Sequence, residues 1–233
     1  VIFVNTFISA LLFRLGNVKK NIGYNREGRG FLLDFSPEIN YHKHYINRYA
    51  FLFNEYIGNK YVYLPELSLR YTGQKTFQFD NSHKTIALYL GGENKEFRKY
   101  PDEYAVQLLR LLNRQGYNLL LIGDENDNIK HTQYAEEARI DHLINLTART
   151  TIEGFINTIA NVDLIITIDS SALHIAAAVK TPFIALMGLS TSPTSTILPK
   201  VPLGRILKIE NNLIREEDYI RNITPDLILK TIS

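Results

Sequence analysis

The chain has no cysteine. That excludes a disulfide framework, a zinc–thiolate site and an iron–sulfur cluster, and it fits a reducing compartment. Its single methionine is Met187 and it opens on Val1; because a natural reading frame begins with Met, it reads as a fragment or a processed chain. Long hydrophobic runs are also missing. The most apolar stretch, residues 1–13, is broken by Asn5 and has no basic flank before it, so neither a membrane-spanning helix nor a signal peptide is expected. Neither sign of charge dominates, with 26 Lys/Arg against 24 Asp/Glu. Residues 1–80 carry ten basic against six acidic side chains. That excess suits an anionic acceptor or a membrane surface, or a plain solvated face, and is too sparse for a nucleic-acid footprint. GxGxxG, P-loop and GxSxG patterns are absent, which weighs against dinucleotide and ATPase readings.

What is present is globular in character: 233 residues, 45% hydrophobic and 21% charged, enough for one large domain or two small ones. From Lys84 onward, short apolar runs alternate with helix-period segments. Thr85–Leu90, Asn118–Ile122, Leu143–Leu146, Asp163–Ile168 and Phe183–Met187 read as buried strands. Between them, helices are expected over 102–112, 125–139, 150–160 and 170–179. Thr150 with Glu153 has the capping-box spacing, and Gly116 suits a helix end. Continuous apolar strands separated by helices imply a parallel sheet covered on both faces, a Rossmann-like α/β domain. The first 80 residues are less regular. Helices are expected over 9–15 and 44–56, with strands or extended turns at 21–24 and 30–33. The domain boundary is placed in the polar stretch Thr72–Lys84, giving domains 1–80 and 81–233.

In an open parallel sheet, ligands bind at the carboxyl ends of the strands. The residues there are Gly91-Gly92-Glu93-Asn94, Gly123-Asp124-Glu125, the turn up to Thr150, Asp169-Ser170-Ser171 and Gly188–Ser192. Hydroxyls and backbone N–H groups suit phosphate, and a carboxylate suits ribose. The stretch Asp169–Ala178 is the most informative. Its small residues let a helix sit close to the sheet, and its N-terminus offers a phosphate cradle; the alternative is that Asp169 or Ser170 simply caps that helix. His174 lies one turn in, near the cradle or merely structural. Arg98 and Lys99 could neutralise a diphosphate or form a surface pair. Asp124-Glu125-Asn126-Asp127 lacks the spacing of a calcium loop and reads as a solvated helix start. His42-Lys43-His44 could bind a metal weakly but reads better as a polar loop. Asn145-Leu-Thr147 and Asn222-Ile-Thr224 are formal glycosylation sequons that matter only in a secreted protein.

These blocks, in this order, resemble glycosyltransferase family 9, the ADP-heptose:lipopolysaccharide heptosyltransferases, nearest to its heptosyltransferase II-like members. Ile86-Ala-Leu-Tyr-Leu-Gly-Gly-Glu-Asn-Lys-Glu-Phe-Arg-Lys-Tyr-Pro101 resembles the family's strand, glycine loop and basic-aromatic-Pro segment. Asn145-Leu-Thr147, Ile152-Glu153 and Ile168-Asp-Ser-Ser-Ala-Leu-His-Ile-Ala-Ala-Ala178 resemble its Leu-Thr block and its Asp-Ser/Thr-Gly-x-x-His signature. Phe183–Gly188 with Ser192-Pro193 resembles the block that follows. Asn5–Leu12, Ile22–Gly30 and His44…Arg48-Tyr49 resemble the second half of the acceptor domain.

The resemblance implies a GT-B fold: a Rossmann-like C-terminal nucleotide-sugar-binding domain and the latter part of an N-terminal, Rossmann-like acceptor domain. It implies inverting transfer of heptose from ADP-heptose to the inner core of lipopolysaccharide, with no metal and no further cofactor. The acceptor would be a lipid-A-linked oligosaccharide, met at the cytoplasmic face of the membrane; nucleic acid is not an expected partner. Carried over by position, Asn94 and Arg98 would face the donor diphosphate, Glu125 the ribose and Thr150 the nucleoside. Asp169, Ser170, Ser171 and His174 would line the phosphate and sugar. The family's catalytic base is an Asp near the start of the acceptor domain, in a segment expected before Val1, so none is named in this sequence. Ser171 stands where the family carries Gly; its side chain either crowds the approach of phosphate or adds a hydroxyl donor. The alternatives are a GT-B enzyme using another sugar nucleotide, an epimerase included, and a truncated homologue without activity.

Overall fold

A computed structural model describes residues 1–61, 67–79, 82–91, 93–189, 194–199, 201–209 and 215–232. Its contacts divide the chain into two units, Val1–Glu66 with Ser192–Leu198, and Leu67–Thr191 with Pro199–Ser233.

The first unit holds helices α1 (Phe7–Leu15) and α2 (Tyr45–Tyr56). Thr6 caps α1 by accepting from Ser9 N–H, and Gly16 follows its last residue. The expected extended segment near residue 22 is present and pairs in parallel with 35–38, through the bridges Ile22↔Phe35 and Asn25↔Glu38. Residues 30–33 differ from expectation. Arg29–Leu32 form a 3-10 turn entered through Gly28 at φ +68°, a backbone state that glycine reaches at little cost. The turn places Arg29 at zero exposure. Its guanidinium donates to Tyr24 O, Val4 O and Asn5 Oδ1, joining the extended segments to the start of α1. Ile22, Tyr24 and Leu52 form a small core lined by Phe35, Ile39 and Tyr49. Of the expected polar loop at 42–44, His44 is the residue that caps α2. Its Nδ1 accepts from Ile46 N–H, which leaves Nε2 to donate to Leu198 O at 3.0 Å.

The second unit is built on six parallel strands: β1 (Thr85–Tyr89), β2 (Asn118–Leu121), β3 (Leu143–Asn145), β4 (Leu164–Ile168), β5 (Phe183–Leu186) and β6 (Gly204–Leu207). Their order is β3-β2-β1-β4-β5-β6, the doubly wound arrangement. Every residue of β1, β2 and β5 is buried. Each fully buried Leu or Ile, such as Leu88, Leu120 or Ile166, contributes about 1.5–3 kcal/mol. The chain winds outward from β1 to β3 and from β4 to β5. Right-handed crossovers therefore put helices α3 (Asp102–Arg114) and α4 (Asn128–Ala138) on one face, and α6 (Ser171–Val179) on the other. Consistently, α3 packs with α4 and with α8 (Pro225–Ile232), while α5 (Ile152–Ala160) packs with α6. A one-turn helix, α7 (Thr194–Ile197), belongs to the first unit.

α3 and α4 are tied by one carboxylate. Asp102 accepts from Lys99 at 2.8 Å, from Lys130 at 3.1 Å and from the Tyr134 hydroxyl. Burial alone would raise its pKa; these bonds outweigh it and hold it at about 2.

Helix α7, strand β6 and helix α8 were not anticipated. β6 is a short edge strand whose exposed Arg205 and Ile206 obscure any apolar run. Gly204 is needed there, because a Cβ would lie 2.0 Å from Phe183 Cζ. α8 starts at Pro225, whose fixed φ suits a first helical position. Residues 67–79, expected before the boundary at 80/81, lie with the second unit. Leu69 N–H donates to Ala178 O, and the N–H groups of Thr72 and Gly73 donate to Asn157 Oδ1. No helix among the described residues is long and apolar enough to cross a membrane.

Candidate functional site

In this sheet, neighbouring crossovers diverge between β1 and β4, which opens a crevice at their carboxyl ends. Strand β1 leads into Gly91 at φ +81°, where a Cβ would lie 2.7 Å from Ile168 Cδ1 at the end of β4. Only glycine lets the chain turn this closely over the neighbouring strand. A 3-10 turn, Glu93–Arg98, follows, and the chain is then fastened back to the sheet. Tyr100 N–H donates to Leu90 O at 3.0 Å, and the Tyr100 hydroxyl donates to Ile223 O at 2.8 Å. Arg98 thus sits between two fixed points, and its Nη1 lies 3.4 Å from the Asp169 carbonyl oxygen. The side chain of Asn94 lies outside the described residues.

Strand β4 ends at Asp169, which is nearly buried, and Ser170 is the N-cap position of α6. The capping alternative fails for Ser170. The Ser170 side chain makes no capping bond; its hydroxyl instead pairs with Thr167 Oγ1 at 2.9 Å. Ala172, Ala176 and Ala177 are buried, which lets α6 lie close to the sheet. The positive end of the helix faces the crevice beside Ser171, which is exposed, and His174, which is half-buried.

Strand β2 ends at Gly123 and Asp124, followed by a 3-10 turn, Glu125–Asp127, that runs into α4. Glu125 is exposed at the rim. Strand β3 leads to Thr147, Ala148 and the half-buried Thr150. The cap of α5 is one residue later than expected: Thr151 Oγ1 accepts from Gly154 N–H at 3.0 Å, which frees Thr150 from that duty. The strand spacing of about 4.8 Å places the β3 and β4 ends about 14 Å apart. All the expected site residues therefore share one sheet edge. Arg98 and Asp169 meet, Ser170, Ser171 and His174 continue from Asp169 along α6, and Glu125 and Thr150 stand at the neighbouring strand ends.

Sequence reasoning missed two parts of this edge. Lys95 forms an ion pair with Asp124 Oδ2 at 3.1 Å and lies over the Tyr89 ring. Burial pulls the Asp124 carboxyl up in pKa, but Lys95 and the Asn126 N–H outweigh it and hold it below its ordinary value. The second omission corrects the solvated helix start. Asp124, Glu125 and Asn126 are exposed, yet Asp127 is completely buried. Burial pushes its pKa up. The spacing of Asp127, His131, Tyr134 and Ala138, all buried, is that of one inner helix face, and was the signal available.

A cavity of about 670 Å³ opens at the opposite edge, lined among others by Lys75, Phe77, His83, Lys84, Thr85 and Asp163. It includes none of the expected site residues, and it lies at the amino ends of β1 and β4, where doubly wound sheets do not bind their ligands. Among the described residues, no group of three or more His, Asp or Glu side chains is arranged to hold a metal ion.

A family model described as glycosyltransferase family 9 (heptosyltransferase) matches residues 2–217. Lipooligosaccharide heptosyltransferase 2 of Haemophilus influenzae is 30% identical over 155 residues, which cover 61% of this chain and 44% of that protein. Its counterpart in Haemophilus ducreyi is 24% identical over 100% of this chain and 75% of its own length. Among solved structures, ADP-heptose lipopolysaccharide heptosyltransferase II of Escherichia coli superposes with a TM-score of 0.82 at 22% identity, covering 99% of this chain and 73% of that one. An Escherichia coli heptosyltransferase solved with ADP-2-deoxy-2-fluoro heptose gives 0.68 at 17% identity, covering 98% and 69%. These likenesses show that the fold is of the GT-B type.

Proposed function

Because the chain belongs to glycosyltransferase family 9, we propose that its second unit binds ADP-heptose and that it acts in heptose transfer to the lipopolysaccharide inner core. The observation that carries this reading is the meeting of Arg98 with Asp169 at the N-terminus of α6. A cation and a helix dipole converge there, at the switch point of the sheet. Asn94 and Arg98 take the diphosphate, Glu125 a ribose hydroxyl, and Thr150 the nucleoside side. Asp169, Ser170, Ser171 and His174 face the phosphates and the heptose. The relatives' names point to the same donor and acceptor: one solved homologue holds an ADP-heptose analogue, and the curated relatives are lipooligosaccharide heptosyltransferases.

In the transfer, an acceptor hydroxyl oxygen bonds to the anomeric carbon as the bond from that carbon to the diphosphate oxygen breaks, with inversion. The hydroxyl proton goes to a general base, and the electron pair leaves on ADP. Arg98 and the α6 N–H groups stabilise the charge developing on the departing diphosphate. No metal ion is needed for that stabilisation. A base on the acceptor hydroxyl is required; none of the eight residues is assigned to it. The acceptor is lipid-A-linked oligosaccharide, handled by the first unit at the cytoplasmic face of the membrane.

The chain, ADP-heptose and a lipid-A-linked inner-core acceptor should together yield ADP and an acceptor heavier by one heptose, read by mass spectrometry. Tight ADP-heptose binding without transfer would keep the donor site and show that the general base is not supplied by these residues. Transfer from a UDP- or GDP-sugar instead would keep the fold and replace the donor.

A further inference from the structure

Asp127 is the buried acid behind the rim of the site, and its contacts point outward to that rim. Its Oδ2 accepts from Asp124 N–H at 2.9 Å, while Asp124 Oδ1 accepts from Asn126 N–H at 2.8 Å. The two aspartates therefore close both ends of the single turn that carries Glu125. The Tyr89 hydroxyl lies against both carboxylates, 3.5 Å from Asp124 Oδ2. Gly123 is cut to fit: a Cβ there would stand 2.7 Å from Asp127 Oδ2 and 2.9 Å from its Cβ. One turn along α4, His131 is completely buried and pairs through Nδ1 with Thr147 Oγ1 at 2.8 Å. Ala148 N–H donates to Gly123 O at 3.1 Å. The inner face of α4 thus fastens the β2 and β3 loops, which carry Glu125 and Thr150, to one another.

A buried carboxylate is costly unless it is bonded, and a capping box such as that of Asp124 and Asp127 does not need its second acid completely buried. We propose that Asp127 is a positioning residue for donor recognition: it fixes the turn that presents Glu125, and so sets discrimination for the nucleotide ribose. Asp127 itself touches no ligand; it acts through the backbone of Asp124 and the orientation of Glu125. The inference rests on the ribose role given to Glu125 above.

Calorimetric titration of the full chain with ADP and with 2′,3′-dideoxy-ADP separates the possibilities. The native chain should prefer ADP by about tenfold or more, the scale of one hydrogen bond to a charged acceptor. Glu125→Gln should reduce that preference sharply. Asp127→Ala should do the same while changing the affinity for the dideoxy nucleotide by less than about twofold, and Asp127→Asn should recover part of the preference. Gly123→Ala, which displaces the Asp127 side chain without removing it, reaches the same end if Asp127→Ala does not fold. Should these variants weaken both nucleotides by one common factor, or leave the preference intact, the positioning role is overturned and the site reading stands. A native chain that ignores ADP, or a Glu125→Gln variant that keeps the full preference, overturns the ribose reading and the positioning role with it.

Discussion

Arg98→Ala is expected to weaken ADP binding by about 10- to 100-fold, the scale of one lost charge-assisted bond, while leaving the thermal stability of the chain nearly unchanged. Among the described residues, the half-buried guanidinium makes one hydrogen bond, a long one of 3.4 Å to the Asp169 carbonyl, which contributes little to folding. Its place is fixed by the backbone around it, through Gly91 before the turn and Tyr100 after it. The deletion therefore removes a ligand contact and not a support. Arg98→Lys should recover only part of the affinity, because an ammonium keeps the charge but not the forked geometry. Affinity of the native chain should fall with added salt, and more steeply than that of Arg98→Ala. Calorimetric titrations at two salt concentrations check all three statements. An Arg98→Ala variant that binds ADP as the native chain does would remove the cation from the site.

Acid should cost this protein stability because of one buried imidazole. His131 has zero exposure, and burial lowers its pKa from 6.5 to about 4. Above pH 6.5 the group is neutral in both states and contributes no pH dependence. Between 6.5 and 4 the unfolded chain takes up a proton that the folded chain refuses, so stability falls with pH across that window; below 4 both states are protonated and the loss levels off. The size is on the order of 2–3 kcal/mol by pH 4. Asp102, lowered from 3.8 to about 2, loses its stabilisation only as pH falls below about 4, so it adds little across this window. Asp127 works in the other sense, since a carboxyl whose pKa is raised on folding favours the folded state as it protonates. Urea unfolding of the native chain and of His131→Asn at pH 7 and pH 4.5 isolates the term. The variant should be less stable at pH 7, through its poorer fit beside Thr147, yet lose clearly less on acidification. Parallel losses in the two proteins would show that His131 does not titrate as a buried neutral base.

Much of the sheet was legible because its strands are buried on both faces. Ile86-Ala-Leu-Tyr-Leu90 and Ile165-Ile-Thr-Ile168 have no reason to be so apolar unless covered on two sides. β6 escaped because an edge strand needs only one protected face, and Gly204-Arg-Ile-Leu207 reads as ordinary loop. The turn at Arg29–Leu32 escaped for a different reason: the burial of a guanidinium by carbonyls distant in sequence leaves no local pattern. At the site, chain position alone located the carboxyl ends, since glycine, hydroxyl and acid residues follow each strand. It could not show that Thr151 and not Thr150 caps α5, as both offer a hydroxyl at a usable offset. Nor did a run of acids look divided. Only the packing of α4 turns Asp127 inward while Asp124 and Glu125 face solvent.

If the carboxyl edge of this sheet is an ADP site, a nucleotide panel reveals it most directly. Thermal unfolding of the full chain would be followed with ADP, UDP, GDP and NAD, each at the same concentration. A ligand present at 100 times its dissociation constant stabilises by about 2.7 kcal/mol, a shift of several degrees for a chain of this size. Such a shift is expected with ADP, reduced in Arg98→Ala, and little or none with UDP, GDP or NAD. An equal or larger shift with UDP or GDP, or none with ADP, would contradict it.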